Sequence, residues 1–311
     1  MSVPTVEQIR IALDEAAVLP KSQIGPQPQR LLLTLLGDYW FGHKEHLPSA
    51  ALVKILSEFG NTTASSRAAL SRLSRRGLLV SSKQGRRTYY GLSELASKVL
   101  IDGARRIFRF GTIERHQEGT WTFVAFSVPE SARATRHALR TRLRWLGFAP
   151  LFDGLWVCPH PVTEEANQVL DDLGVESATT IAGDIESRPL GRHPMDAWDL
   201  DAIEAAYKSF TERFQTVSRR VRAGDVATAE ALVLRTEVMD EWRNMPNLDP
   251  ELPAELLPAG WPRQRARDLF VQVYDELGPL ARSRFRQILA EFSPELAELA
   301  TFHTSGFLVE G

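Results

Sequence analysis

Between Asn61 and Ser93 the chain carries seven basic residues (Arg67, Arg72, Arg75, Arg76, Lys83, Arg86 and Arg87) and no acidic one. The apolar residues threaded through this stretch constrain its fold. Ser66, Leu70 and Leu73 recur at i, i+4 and i+7, which predicts a helix from Thr62 to Gly77. Leu78 to Ser82 and Arg87 to Leu92 then predict two short strands, joined by the turn Lys83-Gln84-Gly85-Arg86. Upstream, Pro28 to Phe41 predicts a helix, with Pro28 at its first position and Leu32, Leu35, Leu36 and Tyr39 on one face. A second follows Pro48, capped by Ser49, with Leu52, Val53, Leu56 and Phe59 as its apolar side and Gly60 as its stop. Helix, tight turn, helix and basic-tipped hairpin is the order of a winged helix-turn-helix.

The charge is divided along the chain. Residues 1–115 hold 17 Lys/Arg against 9 Asp/Glu, while residues 116–311 hold 20 against 30, and the total is −2. A local positive field on an otherwise acidic chain is the electrostatic footprint of a module that binds nucleic acid. A solvated basic face is the plainer alternative on charge alone. The lone cysteine, Cys158, cannot form an internal disulfide, which fits a reducing cytoplasm. No apolar run is long enough to cross a bilayer, and Glu7, Asp14 and Glu15 interrupt the N-terminal segment as they would not in a secretory leader.

The expected fold class is α+β in three parts after an N-terminal extension. Residues 1–27 hold an amphipathic helix over 5–18 and a Pro/Gln-rich linker. Residues 28–115 form the winged helix-turn-helix, closed by a helix from Ser93 to about Phe108. Residues 116–187 read as strand 121–128, helix 131–146, strands 148–151 and 155–157 around a type I′ turn at Asp153-Gly154, helix 163–173 and strand 175–182. That βαββαβ order suggests a ferredoxin-like sandwich suited to dimerisation. Residues 188–311 are expected to be helical, with helices over 199–222, 225–244, 262–277, 279–292 and 294–303, and to sense an effector.

On the predicted recognition helix, Thr63, Ser66 or Arg67, and Ser71 lie where base contacts fall. Arg67 is the best single candidate, because a guanidinium can bond guanine O6 and N7 together. Arg72 and Arg75 are candidates for phosphate. So are Lys83, Arg86 and Arg87 on the hairpin, where Tyr89 and Tyr90 alternate and one, taken as Tyr89, offers a phosphate donor. A second stripe, Arg133, Arg136, Arg140 and Arg144, lies on one helix face and could meet DNA backbone or the phosphates of a CoA-type ligand. A solvated face paired with acids is its simpler explanation. Trp198, Tyr207, Trp242, Trp261 and Tyr274 offer aromatic surface for an aryl effector, or core. His43 and His46 lack companions for a metal, and Pro159 and a strand end account for His160 beside Cys158. No catalytic residue, metal or cofactor is expected.

Several blocks resemble one family of regulators. They are Gln29-Arg30-Leu31-Leu32-Leu33-Thr34-Leu35-Leu36-Gly37-Asp38-Tyr39, Phe59-Gly60, Arg67-Ala68-Ala69-Leu70-Ser71-Arg72-Leu73 and Gly85-Arg86-Arg87-Thr88-Tyr89-Tyr90-Gly91-Leu92. Further blocks are Trp145-Leu146-Gly147-Phe148, Gly154-Leu155-Trp156-Val157, Asp249-Pro250-Glu251-Leu252-Pro253 and Leu257-Pro258-Ala259-Gly260-Trp261-Pro262. The order and spacing are similar to those of the PaaX family. The resemblance implies a cytoplasmic, homodimeric repressor of three parts, and the two-fold symmetry of such a dimer leads us to expect an inverted-repeat operator in double-stranded DNA. The best-known members govern aromatic catabolism and are released by phenylacetyl-CoA, so an aryl- or acyl-CoA effector is implied. The opening Thr62-Thr63-Ala64-Ser65-Ser66 departs from the family's usual Asn-Glu and bulkier side chains, so a different operator is expected. The rival classes are a nuclease, because the middle region resembles the ferredoxin-like fold of a CRISPR adaptation endonuclease, and an architectural DNA binder without effector. The first needs a metal-binding acid at the end of strand Phe123-Val124-Ala125-Phe126-Ser127-Val128, which has none.

Overall fold

The computed structural model describes residues 28–112, 120–184 and 193–307. The expected helix over 5–18 and most of the 183–194 linker lie outside them. The fold mixes helices with two small antiparallel sheets, and among the described residues no helix is long and apolar enough to cross a membrane. The described residues divide into two compact units, one of residues 28–109, 210–242 and 267–307, the other of residues 110–112, 120–184, 193–209 and 243–266.

The first unit opens with helices α1 (Pro28–Tyr39), α2 (Ser49–Ser57) and α3 (Thr63–Arg75). Leu32, Leu36 and Tyr39 of α1, Leu52 and Leu56 of α2, and Leu70 and Leu73 of α3 are all buried, as their spacing requires. Helix α2 begins one residue earlier than its polar signal suggests. Pro48 is its N-cap, with no side-chain hydrogen bond, and Ser49 is already helical. Strands β2 (Leu79–Gln84) and β3 (Arg87–Leu92) form the hairpin. Its loop is only Gly85-Arg86, with Gly85 at φ 61 in the first turn position, as a II′ turn requires. Lys83 and Gln84 therefore belong to the strand. A third strand escaped the sequence reading: β1 (Leu47–Pro48) pairs with Tyr90 and Tyr89 on the outer edge of β3. A proline is tolerated there because an edge residue needs no ladder donor on its free side. Helix α4 (Glu94–Arg109) follows, with the Ser93 hydroxyl accepting from the Ala96 amide.

Later segments complete this unit. Helix α7 (Leu200–Arg222) enters it at Phe210, α8 (Thr228–Trp242) lies within it, and α10 (Arg263–Ala290) enters it at Arg267. The expected break between 277 and 279 is absent. Helix α10 runs unbroken through Gly278-Pro279 because the buried stripe Leu277, Ala281 and Phe285 continues across it. Burying three such side chains outweighs the roughly 3 kcal/mol that an interior proline costs. Gly278 serves close packing, since a Cβ there would meet the Phe302 ring at 2.5 Å. Trp242, Phe270 and Phe108 stack in succession, with ring centroids 4.9 and 6.3 Å apart.

At the centre of this core Arg235 of α8 is fully buried. Its Nη1 faces Asp38 Oδ2 at 3.2 Å, its Nε donates to the Tyr274 carbonyl, and its Nη2 donates to the His303 carbonyl. The guanidinium lies 3.8 Å from the Tyr274 ring centroid, and the Tyr274 hydroxyl donates to Asp38. Burial pushes the neighbouring Tyr39 hydroxyl up to about 12; Arg235 opposes that rise and Asp38 adds to it. The folded state thus holds this proton more tightly than the unfolded state. Its contribution is full below pH 10 and is lost as pH rises through about 12. The shift corresponds to roughly 2–3 kcal/mol. Melting temperatures measured from pH 9 to 12 should fall across that window, and less steeply in Tyr39→Phe.

The second unit contains β4 (Trp121–Phe126), α5 (Arg133–Trp145), β5 (Ala149–Phe152), β6 (Leu155–Cys158), α6 (Thr163–Asp172) and β7 (Ala178–Gly183). Its sheet has the order β5-β6-β4-β7, antiparallel throughout. Val124, Trp156 and Cys158 pack against Leu139, Leu143, Ala166 and Leu170 of α5 and α6. Trp121, Leu151 and Val157 face the other way, covered by Met195, Trp198 and Leu256. The β5–β6 turn is not type I′, since neither Asp153 nor Gly154 has a left-handed φ. Gly154 is required for another reason: the Phe126 amide donates to its carbonyl, and a Cβ would sit 3.0 Å from the Phe126 carbonyl.

The short helix α9 (Met245–Leu248) leads into Asp249-Pro250-Glu251, which organises the rest of this unit. Asp249 accepts from the Tyr207 hydroxyl and from both Nε and Nη2 of Arg263. Glu251, at φ 57, donates its amide to Asp249 and accepts from the Gly111 amide. Among the described residues the last helix is α11 (Pro294–Leu299), which belongs to the first unit.

Candidate nucleic-acid interface

Helix α3 starts at a Thr62 cap whose hydroxyl accepts from the Ser65 amide. Thr63, Arg67, Ser71 and Arg75 follow at four-residue intervals, so they share one face, and all four are exposed, as is Arg72. Ser66 is different. It is buried, and its hydroxyl donates to the Thr62 carbonyl, so it belongs to the core side with Leu70 and Leu73 and is withdrawn as a base-contact candidate. Lys83, Arg86 and Arg87 are exposed on the hairpin, with Arg86 in the turn itself. Tyr89 and Tyr90 are both half-buried, since β1 covers their strand edge.

Among the described residues, Arg67, Arg72, Arg75, Arg76, Lys83, Arg86 and Arg87 make no ion pair, and none has a side-chain hydrogen bond. Three other arginines of the same unit are neutralised by carboxylates. Arg30 pairs with Asp240 at 2.6 Å, Arg220 with Glu230 at 2.5 Å and Arg284 with Glu58 at 2.9 Å. A cluster of uncompensated guanidinium groups on a helix face and an adjoining hairpin concentrates positive potential where a polyanion can approach. The hairpin is anchored by a residue the sequence left without a role. His46 Nδ1 lies 2.8 Å from Ser82 Oγ, and its ring packs so close to Gly91 that a Cβ there would lie 2.4 Å away.

The other candidates disperse. Trp242 is not effector surface: it is fully buried, stacked on Phe270, with its Nε1 donating to the Ile107 carbonyl. Trp198 covers the second unit's sheet beside Trp121, and Trp261 packs edge-on against Tyr207. Of the arginine stripe on α5, Arg133 pairs with Glu130, and Arg136 donates to the Val128 carbonyl. Arg140 and Arg144 border an open groove instead. Cys158 is buried, with its Sγ at the Leu146 carbonyl, and His160 Nε2 contacts the Pro250 carbonyl. No cluster of three or more His, Cys, Asp or Glu able to hold a metal occurs among the described residues.

An exposed, unpaired basic helix face beside a basic hairpin is the kind of surface that polyanion-binding modules present. Three family models match the chain in succession: the PaaX-like protein at residues 27–96, the PaaX protein central Cas2-like domain at 114–193 and the PaaX-like protein C-terminal domain at 198–287. The chain belongs to the PaaX family. It is 26% identical over 254 residues to the transcriptional repressor PaaX of Escherichia coli K12, which covers 79% of this chain and 76% of that protein. Among solved structures it is similar to the uncharacterised protein Rv0674 of Mycobacterium tuberculosis. The TM-score is 0.52 at 25% identity, over 84% of this chain and 98% of the other.

Proposed function

We propose that this protein is a DNA-binding transcriptional repressor whose winged helix-turn-helix lays α3 in the major groove and its hairpin on the adjacent backbone. The observation that carries this reading is the clustering of seven basic residues without an ion pair on α3 and the hairpin, with no acidic residue between Asn61 and Ser93. The PaaX repressor relative supports the regulatory role. The sheet order β5-β6-β4-β7 supports reading the second unit as a ferredoxin-like sandwich, and we assign that unit to homodimerisation. Two copies would read an inverted repeat with half-sites about one helical turn apart. Release from the operator by a small-molecule effector, such as an aryl- or acyl-CoA thioester, completes the proposal. The nuclease alternative finds no support in β4, which carries no acidic residue to hold a metal.

Within this reading Arg67 reads a base. Arg67→Ala should weaken operator binding by about 1–3 kcal/mol and relax preference at one base pair per half-site. Selection of binding sites from random DNA, run with both proteins, checks this. Identical consensus sequences would remove Arg67 from the reading face, and no enrichment with the unaltered protein would remove the DNA-binding reading itself.

A further inference from the structure

The basic tip of the hairpin has little packing of its own. Lys83, Gln84, Gly85, Arg86 and Arg87 are all exposed, and β1 reaches only Tyr89 and Tyr90 on one edge of β3. Strand β2 is the opposite edge of the sheet, paired with β3 alone. A two-stranded ribbon standing by itself is marginally stable in water, so where the tip points depends on what holds its base. His46 supplies that hold. Its Nδ1 lies 2.8 Å from the Ser82 hydroxyl oxygen, so a side chain from the residue before β1 crosses β3 to reach the far strand.

Three features suit His46 to this task. The first is Gly91, which pairs with Val80 inside the ladder and has no left-handed φ, so its backbone does not call for glycine. Glycine weakens a strand interior, and close approach explains it here: a Cβ would meet His46 Cδ2 at 2.4 Å and Nε2 at 2.9 Å. The second is the backbone on either side of His46. The buried Trp40 donates its Nε1 to the Glu45 carbonyl at 2.8 Å, and Leu47 is buried and paired with Tyr90. The third is the place of Ser82, opposite Tyr89 and two pairs from Gln84↔Arg87 at the turn. That is about 7 Å along the strand. The ring therefore ties the helical body to the hairpin close to its basic end.

We propose that His46 is a positioning residue for DNA binding: seated on the helical body, it sets the direction of the hairpin through Ser82 and so brings Arg86 and Arg87 to the DNA backbone. It acts through Ser82 and not by contact with DNA. Gly91 is its counterpart, the position kept free of a side chain so that the imidazole can cross. The proposal rests on the DNA-binding reading of the hairpin given above, and its test has one arm without DNA.

In the arm without DNA, hydrogen exchange is followed by mass spectrometry on the full-length protein. His46→Ala should speed exchange over Leu79–Leu92 by about three- to tenfold, the effect of losing one hydrogen bond, and leave α3 unchanged. In the second arm, fluorescence anisotropy against a salt series follows binding to a duplex of unrelated sequence. His46→Ala should weaken binding by about three- to tenfold and make the slope of log K against log salt shallower. His46→Asn, which keeps a polar group within reach of Ser82, should recover at least half of both losses. Gly91→Ala should push the ring aside and weaken binding likewise, yet add little when His46 is already alanine. Misfolding would not produce that dependence of one substitution on the other. Unchanged exchange over the hairpin, or equal acceleration over α3, overturns the proposal. An unchanged salt slope in His46→Ala, no recovery with His46→Asn, or additive effects of the two alanine substitutions does the same. Failure of the unaltered protein to bind any DNA overturns the DNA-binding reading instead, while the exchange arm still decides whether His46 holds the hairpin.

Discussion

Asp38→Ala is expected to destabilise the protein by about 3–5 kcal/mol, because it leaves the Arg235 guanidinium buried without its counter-charge. The two carbonyls and the Tyr274 ring that also hold Arg235 are dipoles, not charges, and cannot replace a carboxylate. Arg235→Ala should cost a similar amount, by stranding Asp38 and opening a cavity among Tyr39, Tyr274 and Phe302. Replacing both together is different. Asp38→Leu with Arg235→Met removes both charges while roughly keeping volume, and should recover part of the loss; the Tyr274 hydroxyl and the 274 and 303 carbonyls still lose their partners. Urea unfolding followed by circular dichroism checks all three. A loss below about 1 kcal/mol in Asp38→Ala would show that the guanidinium tolerates isolation, contrary to its complete burial.

Arg86→Ala combined with Arg87→Ala should weaken DNA binding by about 3 kcal/mol, roughly a hundredfold, on operator and unrelated DNA alike. Both side chains are exposed at the hairpin tip, and neither has a partner to lose within the protein. Each phosphate contact releases condensed counterions, so the slope of log K against log salt should become shallower by about 0.9 per lost contact. Arg67→Ala affects only the specific component, so the two variants separate backbone contact from base reading. Fluorescence anisotropy from 50 to 300 mM salt supplies both quantities. An unchanged slope would mean that the hairpin does not touch the backbone.

The elements of the candidate interface were legible in the sequence because they are local. The spacing of Ser66, Leu70 and Leu73 faces α3 correctly, and Gly85 marks the hairpin turn. The same spacing already placed Ser66 in the core, and burial decides between its two expected roles. What remained hidden arises from contacts between distant segments. Strand β1 has two residues, too few to show alternation, and only its pairing with β3 reveals it. Pro279 signalled a break, yet local propensity gave way to the buried stripe on either side. The arginine stripe on α5 has one spacing but two fates, set by whether Val128 or the β5–β6 hairpin lies opposite. Arg235 was the hardest to foresee. A lone arginine in an apolar helix gives no hint that Asp38, nearly 200 residues earlier, waits for it.

That last separation bears on biosynthesis. A ribosome delivers α3 and the basic hairpin early, while Arg235, Tyr274 and the 303 carbonyl are still untranslated. Until those segments emerge, Asp38 has no counter-charge, and Tyr39 and Phe108 lack the rings they stack upon. Contacts of such long sequence separation form late, after the intervening chain has been released and closed into a loop. The segment with the basic helix and hairpin is therefore not expected to be a cassette that can be cut out or transplanted. An expression product ending near residue 110 should emerge with apolar surface uncovered and be prone to aggregation. In this protein the core beneath the basic helix and hairpin is completed only once the distal helices have been made.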